Sequence, residues 1–263
     1  MSFSIDLSDQ IGIVTGVTSG IGAGVADVLA QAGADVAGCG RSAVESDGAK
    51  AFFESVNAQG RRAEYCSIDL RNVDGPGELV ERTIAQFGRI DFVISNAGFN
   101  VFRGAAECTE EDWQMNLDLN LASHWRLARA VHPHLEQSAS GAFVVMTSNH
   151  AYSCIPGCFP YDVTKTALLG LVRTLAVDWG PGVRVVGIAP GFIETRGADK
   201  WFGSFPDPEI ERQRTIDRHP AGKLGTPEEV GAFCAFLVSR YAGFATGTTY
   251  LLDGGRSALM QDD

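Results

Sequence analysis

Short runs of apolar and often β-branched residues recur along the chain, and seven of them predict the strands of a single sheet. The runs are nearly continuous rather than alternating with polar residues, which is typical of parallel strands that are covered on both faces. The seven runs are IGIVTG (11–16), ADVAGCG (34–40), AEYCSIDL (63–70), IDFVISNAG (90–98), GAFVVMTS (141–148), VRVVGIAPG (183–191) and TTYLLDGG (248–255).

Between most of these runs, apolar residues recur at spacings of three and four, which predicts helices with one buried face. One such set is Val25, Val28, Leu29 and Ala32, and another is Leu168, Leu171, Val172 and Leu175. Strands that alternate with helices indicate βαβ units. We therefore predict an α/β fold, a doubly wound (Rossmann-type) parallel sheet of seven strands in a three-layer α/β/α arrangement.

The strands fill the chain, and no linker or low-complexity stretch marks a second domain, so residues 1–263 are expected to form one domain. The longest segment without a regular pattern is 192–220. A loop of this length in a compact domain is usually functional or mobile, and we expect it to act as a lid over the substrate.

Composition narrows the class of protein. The 263 residues are 45% hydrophobic and 20% charged, which suits a globular domain with a sizeable core. A net charge of -11 argues against a nucleic-acid or an anionic-membrane surface. No signal peptide or membrane span is evident, and the six cysteines lack a paired framework. A cytoplasmic protein is expected.

The turn after the first predicted strand is rich in glycine. It reads TGVTSGIG and places Gly16, Gly20 and Gly22 directly before a helical pattern. Backbone without Cβ atoms can approach a pyrophosphate closely, and a helix N-terminus offers free N–H groups. The spacing differs from the G-x-G-x-x-G fingerprint, but its position between strand and helix predicts a dinucleotide site.

The end of the second predicted strand indicates which dinucleotide is bound. An acidic residue there would bind the ribose 2′-hydroxyl of NAD(H), whereas an arginine would favour the 2′-phosphate of NADP(H). The chain has Gly40 in the acidic position, followed by Arg41 and Ser42. This favours NADP(H) and leaves NAD(H) possible, because the turn itself carries Thr18 and Ser19 rather than a basic residue.

Tyr161 and Lys165 stand four positions apart in FPYDVTKTALLGL. On a helix they would share one face. A phenol has an unperturbed pKa of about 10, and a nearby ammonium would favour the phenolate. The pair therefore suggests a phenol prepared for proton transfer.

Together these motifs resemble the short-chain dehydrogenases/reductases from about residue 8 to 255, in the order of that family. Asn120 lies in NLDLNLASH, and Ser148 precedes Tyr161 by thirteen residues. The resemblance implies that Tyr161 is the general acid/base, that Lys165 lowers its pKa and binds the nicotinamide ribose, that Ser148 holds the substrate oxygen, and that Asn120 supports a water relay. Lowering the phenol pKa to about 7 corresponds to about 4 kcal/mol.

The resemblance also implies further cofactor contacts. Asp69 and Leu70 would contact adenine, Asn96, Ala97 and Gly98 would support the central strand, and PGFIET would hold the carboxamide. The full set of expected cofactor-binding residues is Gly16, Thr18, Ser19, Gly20, Ile21, Gly22, Arg41, Ser42, Asp69, Leu70, Asn96, Ala97, Gly98, Tyr161, Lys165, Pro190, Gly191, Ile193 and Thr195.

The expected substrate contacts are Ser148, His150 and Tyr161. A histidine with a donor and an acceptor suits a hydroxylated substrate, although a solvated loop histidine explains the pattern equally well. His150, Cys154 and Cys158 are spaced by four, but Pro156 and Gly157 break a helix there, so no metal is expected.

The sequence predicts an oxidoreductase that interconverts a secondary alcohol and a ketone, with a sugar or polyol as the leading substrate. Two alternatives remain: a 3-oxoacyl thioester (acyl-carrier-protein) reductase, and a non-catalytic dinucleotide sensor on the same fold. The family resemblance suggests a homotetramer packed through helices near 109–135 and 161–178.

Overall fold

The computed structural model describes residues 4–260, and its centre is a parallel sheet of seven strands. Their spatial order is β3-β2-β1-β4-β6-β8-β9. The strands are β1 (Ile11–Thr15), β2 (Asp35–Gly40), β3 (Ala63–Ser67), β4 (Phe92–Ser95), β6 (Ala142–Met146), β8 (Arg184–Pro190) and β9 (Thr249–Leu252). Each lies within one of the seven predicted runs, which confirms the predicted sheet. Residues 1–3 and 261–263, which belong to the predicted single domain, lie outside the described residues.

Helices cover both faces of the sheet. They are α1 (Gly20–Gln31), α2 (Asp47–Ala58), α3 (Gly75–Phe87), α4 (Glu110–Leu117), α5 (Ser123–Leu135), α6 (Tyr161–Trp179), α7 (Arg196–Phe202), α8 (Pro208–Asp217) and α9 (Pro227–Val238). A π-helical turn (Asp118–Ala122) joins α4 to α5, and short 3-10 turns lie at Asn149–Ala151, Arg240–Ala242 and Arg256–Ala258.

Two hydrophobic cores explain the three layers. On one face, Val25 and Leu29 of α1 pack with Phe52 of α2 and Val230 of α9. On the other face, the core is formed by α3, α5 and α6, including the fully buried Leu168. Burying one such side chain contributes about 1.5–3 kcal/mol, so these spaced apolar residues hold the helices on the sheet.

The sheet brings the predicted motifs to one edge. β1 and β4 are neighbours at its centre, although α1 leaves β1 towards one face and α3 enters β4 from the other. Ligands bind beyond the carboxyl ends of parallel strands at such a switch point. The loops after β1, β4, β6 and β8 therefore surround the expected site.

A second, two-stranded sheet was not predicted. β5 (Phe102–Arg103) pairs in antiparallel fashion with β7 (Phe159–Pro160). The strands are two residues long, which is too short to give a periodic pattern. The pairing lies directly before α6, and it fixes the chain where that helix begins at Tyr161.

The prediction that 192–220 is irregular is wrong, because α7 and α8 lie within it. α8 has the sequence PEIERQRTID, and its single buried residue is Thr215, so it has almost no apolar stripe to reveal it. Its start is marked instead by Asp207, whose Oδ1 accepts a hydrogen bond from the Ile210 N–H at 3.1 Å.

No helix in the described part of the chain is both long and apolar enough to cross a membrane. The six cysteines are free thiols. Within residues 4–260, no three side chains of the His, Cys, Asp or Glu type are grouped so that they would hold a metal ion.

The contact between α1 and α9 gives a test of the packing. A Cβ atom at Gly231 would lie 2.8 Å from Val28 Cβ and 3.1 Å from the Gly24 carbonyl oxygen. We expect Gly231→Ala to lower the free energy of unfolding by about 1–3 kcal/mol, because the helices must separate to admit the methyl group. Urea unfolding followed by circular dichroism measures this change.

Gly77→Ala is the matched control, since a Cβ there meets no atom within 4 Å. It should leave stability unchanged or raise it by about 0.4–1 kcal/mol. Equal effects of the two substitutions would contradict the close α1–α9 packing.

Candidate active site

The glycine-rich turn forms a cradle without side chains at the end of β1. Gly16 and Gly20 have positive φ angles of 79° and 61°, which favour glycine. A Cβ atom at Gly22 would overlap the Gly16 carbonyl oxygen and lie 2.6 Å from Asn96 Nδ2. Within the described chain, the Ser19 side chain does not cap α1, so the first N–H groups of that helix stay available. This cradle fits the pyrophosphate of a dinucleotide.

The loop after β4 is tied to the end of β1. Thr15 Oγ1 accepts hydrogen bonds from the Asn96 and Ala97 N–H groups, each at 2.8 Å, and Asn96 Nδ2 donates to the Thr15 carbonyl at 2.8 Å. The expected support of the central strand by Asn96–Ala97–Gly98 is therefore visible in these hydrogen bonds.

The Arg41 guanidinium lies directly after the end of β2. Arg41 is exposed, and among the described residues it has no hydrogen-bond or ion-pair partner. A Cβ atom at Gly40 would lie 3.0 Å from Thr18 Cγ2, so an acidic side chain would be crowded there. Ser42 accepts a hydrogen bond from the Tyr65 hydroxyl through its carbonyl oxygen.

Asp69 and Leu70 lie at the end of β3 with other partners. The Asp69 carboxylate is held by Arg71, whose hydrogen bond and charge lower the pKa of Asp69. The Leu70 side chain is 5% exposed and belongs to the second core. Contact of these residues with adenine stays a prediction.

The loop after β8 reaches the glycine-rich turn. Thr195 Cγ2 lies 3.5 Å from the position of a Cβ at Gly20, and Thr195 Oγ1 caps α7 by accepting from the Ala198 N–H at 3.2 Å. Ile193 forms a β-bridge with Gly225, and Gly191, which follows Pro190, packs against Asp253. Of these predicted cofactor residues, Thr195 lies beside the glycine-rich turn, and contact of Pro190, Gly191, Ile193 and Ile21 with the cofactor stays a prediction.

Tyr161 begins α6 at the carboxyl edge, next to the end of β6. It is 8% exposed, and burial raises the pKa of its hydroxyl to about 12. The Ser148 side chain approaches the phenol and acts in the opposite direction, lowering its pKa. The predicted pair of Ser148 and Tyr161 is therefore brought together by the fold.

Lys165 lies one helical turn beyond Tyr161, and its ammonium group is 5.6 Å from the centre of the tyrosine ring. The side chain is 3% exposed, and Nζ donates a hydrogen bond to the Met146 carbonyl at 2.9 Å. Burial lowers the pKa of Lys165 to about 7. The shared face predicted from the sequence is confirmed.

That Lys165, together with a bound nicotinamide, lowers the pKa of Tyr161 stays a prediction. Burial is the largest influence on Tyr161 and raises its pKa. The same burial disfavours the ammonium form of Lys165. The fold thus removes both groups from water.

Asn120 lies in the π-helical turn between α4 and α5. Its Oδ1 accepts from the Phe99 N–H at 2.9 Å, and its Nδ2 donates to the Phe99 carbonyl at 2.8 Å and to Asn116 Oδ1 at 2.8 Å. The amide therefore clamps the loop after β4. That loop also brings Gly98 to the lysine: a Cβ there would lie 3.6 Å from Lys165 Nζ.

Sequence reasoning missed two neighbours of Asn120. Asn116 and His124, four residues before and after it, are both buried. The His124 Nδ1 is 2.7 Å from Ser95 Oγ, whereas its Nε2 is buried without a partner among the described residues. Burial and the charge of Lys165 lower the pKa of His124 well below its usual value. The four-residue spacing of three polar residues in NLDLNLASH was the available signal.

His150 borders Tyr161, as predicted for a substrate contact. The two rings are 6.0 Å apart and meet edge to face. His150 Nδ1 lies 3.5 Å from Cys158 Sγ, and burial lowers the pKa of the imidazole. His150 is partly buried, and a role in substrate contact stays a prediction.

Aromatic residues of the 192–220 segment form one cluster. Trp201 packs on Phe205 at 4.7 Å and on Phe192 at 5.3 Å, measured between ring centres. Arg212 of α8 lies over Phe202 and bonds Glu194 and Asp199. This cluster joins α7 and α8 beside the loop that follows β8.

Comparisons with known proteins agree with this arrangement. Residues 16–257 match a family model described as enoyl-(acyl carrier protein) reductase. The chain is similar to the human dehydrogenase/reductase SDR family member 4, with 34% identity over 97% of this chain and 90% of that protein. It is also similar to the 2-dehydro-3-deoxy-D-gluconate 5-dehydrogenase of Escherichia coli, with 31% identity over 96% and 97% of the two chains.

Among solved structures, the chain is similar to the L-sorbose reductase of Gluconobacter frateurii, described as complexed with NADPH and L-sorbose. The TM-score is 0.92 and the identity 28%, with 98% of this chain and 100% of that chain covered.

The burial of Lys165 predicts a pH-dependent stability. Below about pH 7 the lysine is charged in both the folded and unfolded chain, and the full cost of burying the charge applies. Between about pH 7 and 10.4 the folded chain carries the neutral amine while the unfolded chain is still protonated, so the cost falls as the pH rises. Lys165→Met should therefore raise the free energy of unfolding by about 1–3 kcal/mol at pH 6.5 and by less at pH 9.5.

Urea unfolding at both pH values measures the difference between wild type and variant. Lys50→Met, at an exposed position of α2, is the control and should show no such dependence. A gap between wild type and Lys165→Met that stays constant over this pH range would contradict the lowered lysine pKa.

Proposed function

Because the chain belongs to the short-chain dehydrogenase/reductase family and is an oxidoreductase, we propose that it interconverts a secondary alcohol and its ketone with a nicotinamide dinucleotide. Tyr161 acts as the general acid/base. The observation that carries this proposal is the position of the Tyr161 phenol, which lies buried between Ser148 and Lys165 at the carboxyl edge of the sheet.

Ser148 and Tyr161 have different roles in the proposed reaction. Ser148 approaches the phenol from the end of β6, where it orients the substrate oxygen towards Tyr161. Burial of Tyr161 limits its direct contact with bulk water, so the phenol exchanges its proton with the substrate oxygen. The nicotinamide, when bound, accepts or supplies the hydride.

A nearby positive charge must counteract the rise in the pKa of Tyr161 that burial causes. A pKa of about 12 keeps Tyr161 protonated near neutral pH, which suits the reduction of a ketone. For oxidation of an alcohol, the Lys165 ammonium has to favour the phenolate. Since the pKa of Lys165 is lowered to about 7, this help is greatest when the lysine is protonated.

We propose that the water relay, which the resemblance assigns to Asn120, uses backbone groups beside this residue. The Asn120 amide is already used by Phe99 and Asn116. The π-helical turn interrupts the regular helical hydrogen bonding at this position, and such turns are frequent at functional sites. We assign the relay to carbonyl groups of that turn and a holding role to the Asn120 side chain.

NADP(H) is the proposed cofactor. Support comes from Arg41, an exposed guanidinium that makes no hydrogen bond or ion pair with the described residues, and from the crowding of any acidic side chain at Gly40. A similar protein, the L-sorbose reductase, is described with NADPH. The residues predicted to bind the cofactor keep those roles as part of this proposal.

A sugar or polyol is the proposed substrate. Two of the similar proteins are named for sugar-derived substrates, 2-dehydro-3-deoxy-D-gluconate and L-sorbose. His150 adds a ring with a donor and an acceptor beside Tyr161, which suits a hydroxylated molecule. We further propose that the aromatic cluster of Trp201 and Phe205 forms the lid over this pocket.

The alternatives have less support. A 3-oxoacyl thioester reductase is consistent with the description of the family model, but a net charge of -11 opposes an acidic carrier protein. A non-catalytic dinucleotide sensor has no need of a buried Tyr161 beside Ser148 and Lys165.

A homotetramer and a cytoplasmic location stay predictions. Support for the assembly comes from apolar side chains exposed on the two predicted interface helices. Val177 of α6 is 81% exposed and Trp125 of α5 is 46% exposed.

Tyr161→Phe should lower kcat at least 10³-fold and leave cofactor affinity within about threefold, because only the proton donor is removed. Turnover is followed at 340 nm with sugars, polyols, hydroxysteroids and oxoacyl thioesters, and cofactor binding is followed by fluorescence. Tyr241→Phe is the control and should keep full activity. Turnover that survives Tyr161→Phe would remove the proton-transfer role.

Arg41→Ala should raise KM for NADP(H) about tenfold or more and change KM for NAD(H) little, because a charged contact to the 2′-phosphate is lost. Arg173→Ala, at an exposed position of α6, is the matched control. An equal effect of Arg41→Ala on both cofactors would refute phosphate recognition by this residue.

A further inference from the structure

Two arginines near the candidate pocket lack partners. Arg218 follows the last residue of α8, and Arg256 begins the 3-10 turn after β9; both are partly buried. Across residues 4–260, neither guanidinium has a hydrogen-bond or ion-pair partner. Nearby arginines differ: Arg212 is paired with Glu194 and Asp199, and Arg214 with Glu211.

The two segments that carry these arginines are packed together. The Ala221 N–H donates a hydrogen bond to the Gly254 carbonyl at 3.0 Å. A Cβ at Gly254 would lie 3.4 Å from His219 Cδ2, and one at Gly255 would lie 3.0 Å from Pro220 Cγ. Burial and the charge of Arg218 both lower the pKa of Arg256, so the two like charges are close enough to repel each other.

The acidic group that acts on Arg256 is Asp253, and it is already engaged. Asp253 is 7% exposed, and its carboxylate accepts hydrogen bonds from the N–H groups of Gly255 at 3.1 Å and Ser257 at 2.8 Å. The negative charge of Asp253 raises the pKa of Arg256, but this effect is smaller than the opposite effects of burial and of Arg218. The positive pair is therefore only partly offset by the protein.

The segment that carries Arg256 lies beside the loop that follows β8. Asp253, three residues before Arg256, packs against Gly191 in the loop after β8. Burial lowers the pKa of His150, and the charge of Arg256 adds a smaller effect in the same direction. His150 in turn contacts Tyr161, with 6.0 Å between ring centres.

Two adjacent guanidinium groups that are partly removed from water are unfavourable unless an anion joins them. Guanidinium forks match the two oxygens of a carboxylate or phosphate. We propose that Arg218 and Arg256 bind an oxyanion carried by the small substrate itself, so that the enzyme acts on an anionic hydroxy or oxo compound. This inference rests on the proposed function, because it specifies the substrate of the same site.

The position of the pair favours a short substrate. The phosphates of a coenzyme A or carrier-protein thioester lie at the far end of a long pantetheine arm, remote from the reacting carbon. Arg256, by contrast, acts on His150, which borders the Tyr161 ring. An oxyanion within the same small molecule as the reacting hydroxyl fits this geometry.

Three ligands with one carbon skeleton test the proposal: D-gluconate, D-glucitol 6-phosphate and the neutral D-glucitol. Isothermal titration of the intact protein saturated with NADP⁺ measures their affinities, and absorbance at 340 nm measures turnover. We expect at least one of the two anions to bind at least tenfold more tightly than D-glucitol. Which anion is preferred distinguishes a carboxylate from a phosphate.

Arg256→Gln and Arg218→Gln should each weaken the preferred anion at least tenfold and change D-glucitol less than twofold. Arg256→Lys should restore part of the affinity, which guards against a folding defect. Arg214→Gln, one turn before Arg218 on α8, is the matched control and should change neither ligand.

The proposal is wrong if wild type shows no preference for either anion, if the glutamine variants weaken all three ligands equally, or if they weaken NADP⁺ instead. These failures differ from failure of the proposed function. Binding by titration needs no proton transfer, so it is measurable even if no ligand is turned over. Conversely, wild type and the arginine variants could all turn over D-glucitol and show no preference for an anion. That result would support the oxidoreductase function and contradict the anion proposal.

Discussion

The buried ammonium group of Lys165 is the constraint on which the candidate site depends. Within the described chain its single hydrogen bond goes to the Met146 carbonyl, and no carboxylate is within ion-pair distance. A cation in this position is costly, and the depressed pKa of Lys165 expresses that cost. The packing of the two hydrophobic cores, one on each side of the sheet, must offset this cost. The same lack of solvent makes the phenol of Tyr161 sensitive to any charge placed beside it.

Three buried polar residues on one side of the α4–α5 segment lie near this lysine. Asn116, Asn120 and His124 follow one another at four-residue intervals on the same side of the α4–α5 segment. Asn120 holds the Phe99 backbone, and His124 is anchored by Ser95. Asn120 lies within the π-helical turn, and His124 lies just after it. Because the His124 imidazole is kept neutral, it adds polarity near Lys165 without adding a second positive charge.

The fold and the outline of the site follow from the sequence because they depend on local signals. Seven apolar runs gave seven strands, and the motif order placed Ser148, Tyr161 and Lys165 together. Other features depend on packing that no short pattern encodes. α8 has no apolar stripe, and the β5–β7 pair is two residues long. The raised pKa of Tyr161 also could not be predicted, because it comes from burial, which depends on the packing of distant parts of the chain.

Arg218 and Arg256 illustrate the same limit, since they are distant in sequence and meet only through the loops after α8 and β9. Their attraction for an anion opposes the effect of the net charge of -11, which repels anions. The two influences act over different distances. At physiological ionic strength the field of surface charges is screened within about 8 Å, whereas contacts in a partly buried pocket are screened much less. The overall charge therefore slows the approach of an anion, and the arginine pair determines whether it stays beside His150 and Tyr161.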